Sequence, residues 1–166
     1  MVNIRLAKPD EQDILTEISF ASKRYWDYPE EYFEIWKDEL TITSGYIDKN
    51  IVYVVQWDEQ IIAYFSIVFV PEDMQTKHVL VQKGWWLEHM FVLPEYIGKG
   101  IGRQMVRHML KICGQKHIGR LNVFADPFAK GFYEKTGFNY VGEYPSSIAG
   151  RTVCLFEAGQ LNRNTK

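Results

Sequence analysis

Along the chain, stretches that alternate apolar and polar residues give way to stretches with apolar residues three and four apart. Ile4-Arg5-Leu6 alternates and predicts a first strand. Pro9-Asp10-Glu11 opens a helix, with proline early and acids in the first turn. Ile14, Leu15, Ile18 and Ala21-Ser22 continue at helical spacing, and Tyr25-Trp26-Asp27-Tyr28-Pro29 breaks it. A second helix is predicted over about 29–40, carrying Tyr32, Phe33, Ile35, Trp36 and Leu40. Residues 51–57 and 60–70 read as two strands of a hairpin turning at Asp58-Glu59. The polar stretch 71–83 reads as a loop, and the apolar run 85–92 as a buried fourth strand. A third helix spans 101–117, with Met105, Val106, Met109, Leu110, Ile112 and Cys113 on one face and Gly119 as its stop. A fifth strand at 121–125, a short helix at 129–136 capped by Gly137, and closing strands at 138–144 and 152–158 complete the order. The expected architecture is β-α-α-β-β-β-α-β-α-β-β, a single α/β domain over 1–160 with a polar tail at 161–166.

Composition narrows the function classes. A chain of 166 residues is long enough for one well-formed core. A net charge of −2 gives no bulk attraction to nucleic acid, so none is expected as a partner. Residues at the N-terminus lack a basic segment followed by an apolar one, and no apolar run approaches the roughly 20 residues that span a bilayer. A cytoplasmic protein without a membrane partner is expected. Cys113 and Cys154 belong to no CxxC pair and read as reduced core residues. No cluster has metal-ligand spacing, so no metal is expected.

The chemistry concentrates after the fourth strand, in Ile97-Gly98-Lys99-Gly100-Ile101-Gly102-Arg103. Glycine admits positive φ and close approach of a ligand to the backbone. A helix begins directly afterwards, and its first turn offers unpaired N–H groups and the positive end of a dipole. Strand, glycine turn and helix together predict an anion site, most simply for a phosphorylated ligand. The spacing G-x-G-x-G is not the dinucleotide fingerprint, and no Gly-Lys-Ser/Thr marks a Walker loop.

This turn resembles the acetyl-CoA-binding motif of the GNAT superfamily of N-acetyltransferases, Gln/Arg-x-x-Gly-x-Gly/Ala, with Ile97 at the first polar position. Downstream, Phe132-Tyr133-Glu134-Lys135-Thr136-Gly137-Phe138 is similar to a second motif of that family, at the expected distance. Phe128 stands where the family usually has an asparagine that contacts the cofactor. The resemblance implies a mixed sheet of about seven strands, flanked by helices, whose parallel fourth and fifth strands splay apart. It implies that the pantetheine arm of acetyl-CoA pairs with the fourth-strand backbone at Met90, Phe91 and Val92, the pyrophosphate lying on residues 97–103 with Phe128 nearby. Lys99 and Arg103 are further candidates for the phosphates.

Acetyl transfer to an amine needs a held thioester, a base for the ammonium, a donor for the oxyanion and an acid for the leaving thiolate. The resemblance assigns the acid to Tyr133 and the oxyanion donor to a backbone N–H near Phe91-Val92. Glu88 is the candidate base, as the one carboxylate in an apolar strand, where burial would raise its pKa. His89 points to the opposite face and reads as a hydrogen-bonded structural residue before it reads as a base. Tyr25, Trp26 and Tyr28 lie where the family places an acceptor wall, and aromatic rings suit a cationic amine. Tyr32 and Trp36 fit core packing as well as that wall, and residues 146–151 form another candidate rim. The acceptor class is a small-molecule or peptide amine of open identity, with homodimerisation also left open. Ile97 and Phe128, both apolar, leave a second reading standing: a non-catalytic acyl-CoA sensor or interaction module on the same fold.

Overall fold

The computed structural model describes residues 1–76 and 79–159, so His78 and the tail expected from residue 161 lie outside the described residues. Strand β1 (Val2–Leu6) leads through a 3-10 turn at Pro9–Glu11 into α1 (Gln12–Arg24). Then come α2 (Glu30–Leu40), α3 (Ser44–Lys49), β2 (Ile51–Trp57) and β3 (Gln60–Val70). A small hairpin, β4 (Met74–Thr76) and β5 (Val79–Val81), precedes β6 (Gly84–Val92). The chain closes with α4 (Ile101–Gln115), β7 (Arg120–Ala125), α5 (Lys130–Lys135), β8 (Asn139–Pro145) and β9 (Thr152–Gly159).

The main sheet has seven strands in the order β1-β2-β3-β6-β7-β9-β8. It is mixed: β6 and β7 run parallel, while β1–β2, β2–β3, β7–β9 and β8–β9 are antiparallel. The expected fourth and fifth strands are therefore β6 and β7.

By compactness the chain falls into two units, Met1–Ile67 with His89–Met105, and Val68–Glu88 with the residues from Val106 on. In the first, Leu15, Ile18, Ile42, Ile47, Val52, Val54 and Tyr64 form a buried cluster. Its entry is fixed by Arg5, whose guanidinium donates to both carboxylate oxygens of Glu11 at 2.6 and 3.2 Å. Glu11 in turn accepts the Lys8 backbone N–H at 2.7 Å, which ties β1 to the start of α1. In the second unit, Val70, Trp86 and Leu155 pack with Val68, Val81 and Phe124. There the α4 residues Val106, Met109, Ile112 and Cys113 are all buried, as the apolar face predicts.

Three local expectations change. Helix α3 lies in a stretch with no predicted element; six residues are too few for a period to emerge, and Thr43 caps it by accepting from Tyr46 N at 3.1 Å. The stretch predicted as a loop at 71–83 contains the β4–β5 hairpin, paired Met74↔Val81 and Thr76↔Val79. Helix α4 stops at Gln115, before the predicted end at His117. His117 itself takes the left-handed conformation at φ 58°. Ile118 N donates to Cys113 O at 2.9 Å and His117 N to Gly114 O at 3.4 Å. This is a Schellman closure with histidine in the place glycine usually takes. Ile118 is buried beneath it, which explains why the chain accepts the strained residue. Among the described residues, no helix is long and apolar enough to cross a membrane.

Left-handed backbone costs a side-chain-bearing residue about 1–2 kcal/mol, partly offset by the greater chain entropy that glycine loses. His117→Gly should therefore raise stability by about 1 kcal/mol, read as a shift of the urea midpoint at unchanged slope. A lower midpoint would mean that the imidazole makes contacts worth more than the strain.

Candidate active site

The parallel ladder between β6 and β7 registers two pairs, Trp85↔Leu121 and Trp86↔Asn122. Asn122 Nδ2 donates to Trp85 O at 3.2 Å. The Trp86 indole stacks on Phe124 with ring centres 4.7 Å apart, and its Nε1 donates to Gln82 O at 2.7 Å. On its other edge β7 pairs antiparallel with β9 over its whole length, from Arg120↔Gly159 to Ala125↔Cys154. The parallel register thus ends at Trp86↔Asn122.

Position by position, β6 alternates as predicted at its centre: Glu88 is exposed and His89 is buried. The burial considered for Glu88 is not found. Met90, Phe91 and Val92 are half-buried. His89 is enclosed by hydrogen bonds. Its Nε2 lies 2.6 Å from Glu39 O, and a carbonyl only accepts, so Nε2 carries the hydrogen. In the neutral ring Nδ1 then accepts, from Ser66 Oγ at 2.8 Å and Tyr46 OH at 3.1 Å. With both nitrogens engaged, His89 braces β6 and is not presented as a base. A lone serine between Phe65 and Ile67 in an apolar strand was the available signal for this network.

Tyr133 projects from α5 into an aromatic enclosure. Its ring centre lies 5.3 Å from Phe132, 5.2 Å from Phe138 and 5.7 Å from Phe156. The downstream motif has a simple physical content. Gly137 adopts φ 96°, so the chain folds back and Phe138 N donates to Tyr133 O at 3.2 Å. That closure lays the Phe138 ring against Tyr133. Burial pushes the Tyr133 phenol well above its usual pKa, so it stays protonated through the physiological range.

The glycine turn belongs to the first unit. Pro94–Tyr96 makes a 3-10 turn, Ile97 is extended, and α4 begins at Ile101. Gly98 and Gly100 both have φ 80°, and a Cβ built on either meets nothing within 4 Å. These glycines are thus required by backbone conformation, and they leave open space in front of the helix start. Ile97, Lys99 and Arg103 are exposed and Gly102 is half-buried. The Lys99 ammonium lies over the rings of Tyr96 and Trp57, at 5.4 and 5.8 Å. Phe128, 56% exposed, sits in the turn before α5, with its N–H donating to Asp126 Oδ1 at 3.0 Å.

Among the acceptor candidates, Tyr25 and Trp26 are exposed and packed edge to face at 4.8 Å. Tyr28 is half-buried against Tyr32 and Trp36. Residues 146–151 close on themselves: Ser146 N donates to Arg151 O, Ser146 Oγ bonds Ile148, and Ile148 is buried. The catalytic candidates Glu88 and Tyr133 and the flanking Phe128 fall in one compact unit. The glycine turn, Met90–Val92 and the aromatic wall fall in the other.

Comparison with known proteins matches residues 16–138 to the family described as Acetyltransferase (GNAT) family. A curated relative, the 5-NmdU N-acetyltransferase of Pseudomonas phage PaMx11, is 24% identical over 95% of this chain and 99% of its own. GCN5-related N-acetyltransferase 2, chloroplastic, of Arabidopsis thaliana is 37% identical over 30% of this chain, a stretch spanning 19% of that protein. The crystal structure of PaiA N-acetyltransferase from Thermoplasma acidophilum in complex with coenzyme A superposes with a TM-score of 0.73 at 19% identity, covering 96% of this chain and 99% of that one.

Because a Cβ at position 137 meets no neighbour, Gly137→Ala carries only the backbone penalty. It should cost about 1–2 kcal/mol in urea unfolding. A loss beyond about 4 kcal/mol would point to a packing defect around Tyr133 instead.

Proposed function

The chain belongs to the acetyltransferase (GNAT) family, and on that premise we propose that it transfers an acetyl group from acetyl-CoA directly to an amine. The single observation that carries the reading is the open glycine turn: two residues at φ 80° with free space before the first turn of α4. The helix-start N–H groups and dipole there suit the cofactor's phosphates, and the vacant Cβ positions leave room for them. The parallel register of β6 with β7 ends at Trp86, and unpaired strand backbone beyond it would suit pairing with the amide-bearing arm. Bound acetyl-CoA supplies the activated acyl group; the chain supplies position and proton handling.

Glu88, exposed on β6, is the candidate acceptor of the amine proton, directly or through water. A backbone N–H of Phe91 or Val92 is the candidate donor to the acyl oxygen. Tyr133 is the candidate acid for the sulfur. In water its proton would move uphill by about 1.5 pKa units, or about 2 kcal/mol, from phenol to thiolate. Burial lifts the phenol further, but a sulfur in the same enclosure would be lifted too, since desolvation penalises either anion. Tyr133 is therefore suited to donating a hydrogen bond to the departing sulfur, with full transfer following as the product leaves.

Replacing Tyr133 by Phe keeps the ring packing and removes the donor. Turnover in a thiol-release assay should fall at least about tenfold while acetyl-CoA affinity holds within about twofold. Wild-type turnover in this variant would remove Tyr133 from the chemistry. Tight acetyl-CoA binding without thiol release from any amine, in the unmodified protein, would favour the sensor reading.

A further inference from the structure

Beside the exposed pair Tyr25 and Trp26, the acceptor candidate Tyr28 belongs to a second aromatic group, set against helices α1 and α2. Tyr28 and Trp36 meet edge to face, with centres 5.0 Å apart at 83°, and Tyr32 meets Trp36 at 5.5 Å and 72°. Tyr28 and Tyr32 complete the triangle at 6.1 Å. Steep ring angles of this kind make a corner of several π faces, and a corner suits a compact, rounded cation. The corner is filled by the chain itself. Lys23 Nζ lies 4.4 Å from the Trp36 ring centre and 5.6 Å from that of Tyr28, both within cation–π range. Trp36 is only 4% exposed with Lys23 in place. The neighbouring guanidinium has its own site: the Arg24 Cζ lies 4.2 Å from the Phe33 ring centre, and Arg24 pairs with Glu30 at 2.7 Å.

We propose that Tyr28 and Trp36, with Tyr32 packed against both rings, form a binding box for an alkylammonium group, and that Lys23 is its internal occupant, displaced when a ligand's cation enters. Lys23 stands in the last turn of α1, so its backbone is anchored while its four-carbon stem can carry the ammonium into solvent. Displacement replaces the lysine's contacts with the Trp36 and Tyr28 rings by those of the ligand's cation. The ligand class is then a compact ammonium or quaternary ammonium, in preference to a guanidinium. Occupation by Lys23 lowers the apparent affinity by the fraction of time it fills the box. That the cation belongs to the acetyl acceptor rests on the function proposed above; the box does not, so its test contains no acetyl-CoA.

The experiment is an NMR titration of the full chain with tetramethylammonium chloride at constant ionic strength, with tert-butanol as a neutral probe of similar shape. Lys23→Met, which keeps the stem's bulk and removes the charge, should bind tetramethylammonium about tenfold more tightly than the unmodified protein. Adding Tyr28→Ala to that variant should abolish the gain, and tert-butanol should not saturate. Unfolding midpoints of each variant establish that the fold persists; should Tyr28→Ala fail to fold, Tyr28→Leu takes its place. Equal affinity in the unmodified protein and Lys23→Met, or equal binding of tert-butanol, would overturn the proposal. Tight cation binding by Lys23→Met in a protein that acetylates no amine would uphold the box and remove only its link to transfer.

Discussion

The early end of the β6–β7 ladder is the constraint from which the functional reading follows. Two strands of a continuous sheet normally satisfy each other's backbone groups along their length. Here the parallel register lasts two residue pairs, while on its other edge β7 pairs with β9 along its whole length. The site of release is set by side chains: Asn122 takes the Trp85 carbonyl, and the Trp86 indole is fixed between Phe124 and the Gln82 carbonyl. Strand β6 is then free to keep an exposed carboxylate at Glu88 and a buried imidazole at His89 on adjacent residues. A released strand is ordinarily a liability; in this chain it is braced by His89, whose ring bonds Ser66, Tyr46 and Glu39.

The two residues proposed to handle protons lie in contrasting environments. Tyr133 is enclosed by rings, and burial secures its proton. Glu88 meets solvent. An enclosed donor and an exposed acceptor match the needs of a reaction that takes a proton from an incoming amine and gives one to a leaving sulfur. The glycine turn adds an element that is electrostatic and conformational, for it offers backbone N–H groups and open space and needs no particular side chain. On the proposed function, Ile97 can therefore stand where a polar residue is usual, because the cradle would be made by backbone.

Much of the fold was legible because it follows from periodicity. The β2–β3 hairpin fell at residues 51–57 and 60–70 as predicted, although its turn residues Asp58 and Glu59 both take left-handed backbone without being glycine. Gly137 was legible as a cap because a left-handed position favours glycine; His117 was not, because histidine gives no such signal. The small helix α3 and the β4–β5 hairpin are too short to generate a period. The glycine turn could be read from residue types and order alone. The supports of His89 could not: Ser66 and Glu39 lie 23 and 50 residues away, and only the fold brings them together. Lys23 was hidden likewise, since a lysine in the last turn of a helix ordinarily reads as a favourable dipole contact.

The central claim is that the released stretch of β6 and the glycine turn receive acetyl-CoA. Backbone amide hydrogen exchange, with and without saturating acetyl-CoA, tests it most directly. Amides of residues 87–92 and 98–103 should slow about tenfold or more on binding, because they exchange solvent for cofactor partners, while the β8–β9 ladder stays unchanged. Unchanged exchange in both stretches at saturating acetyl-CoA would contradict the account.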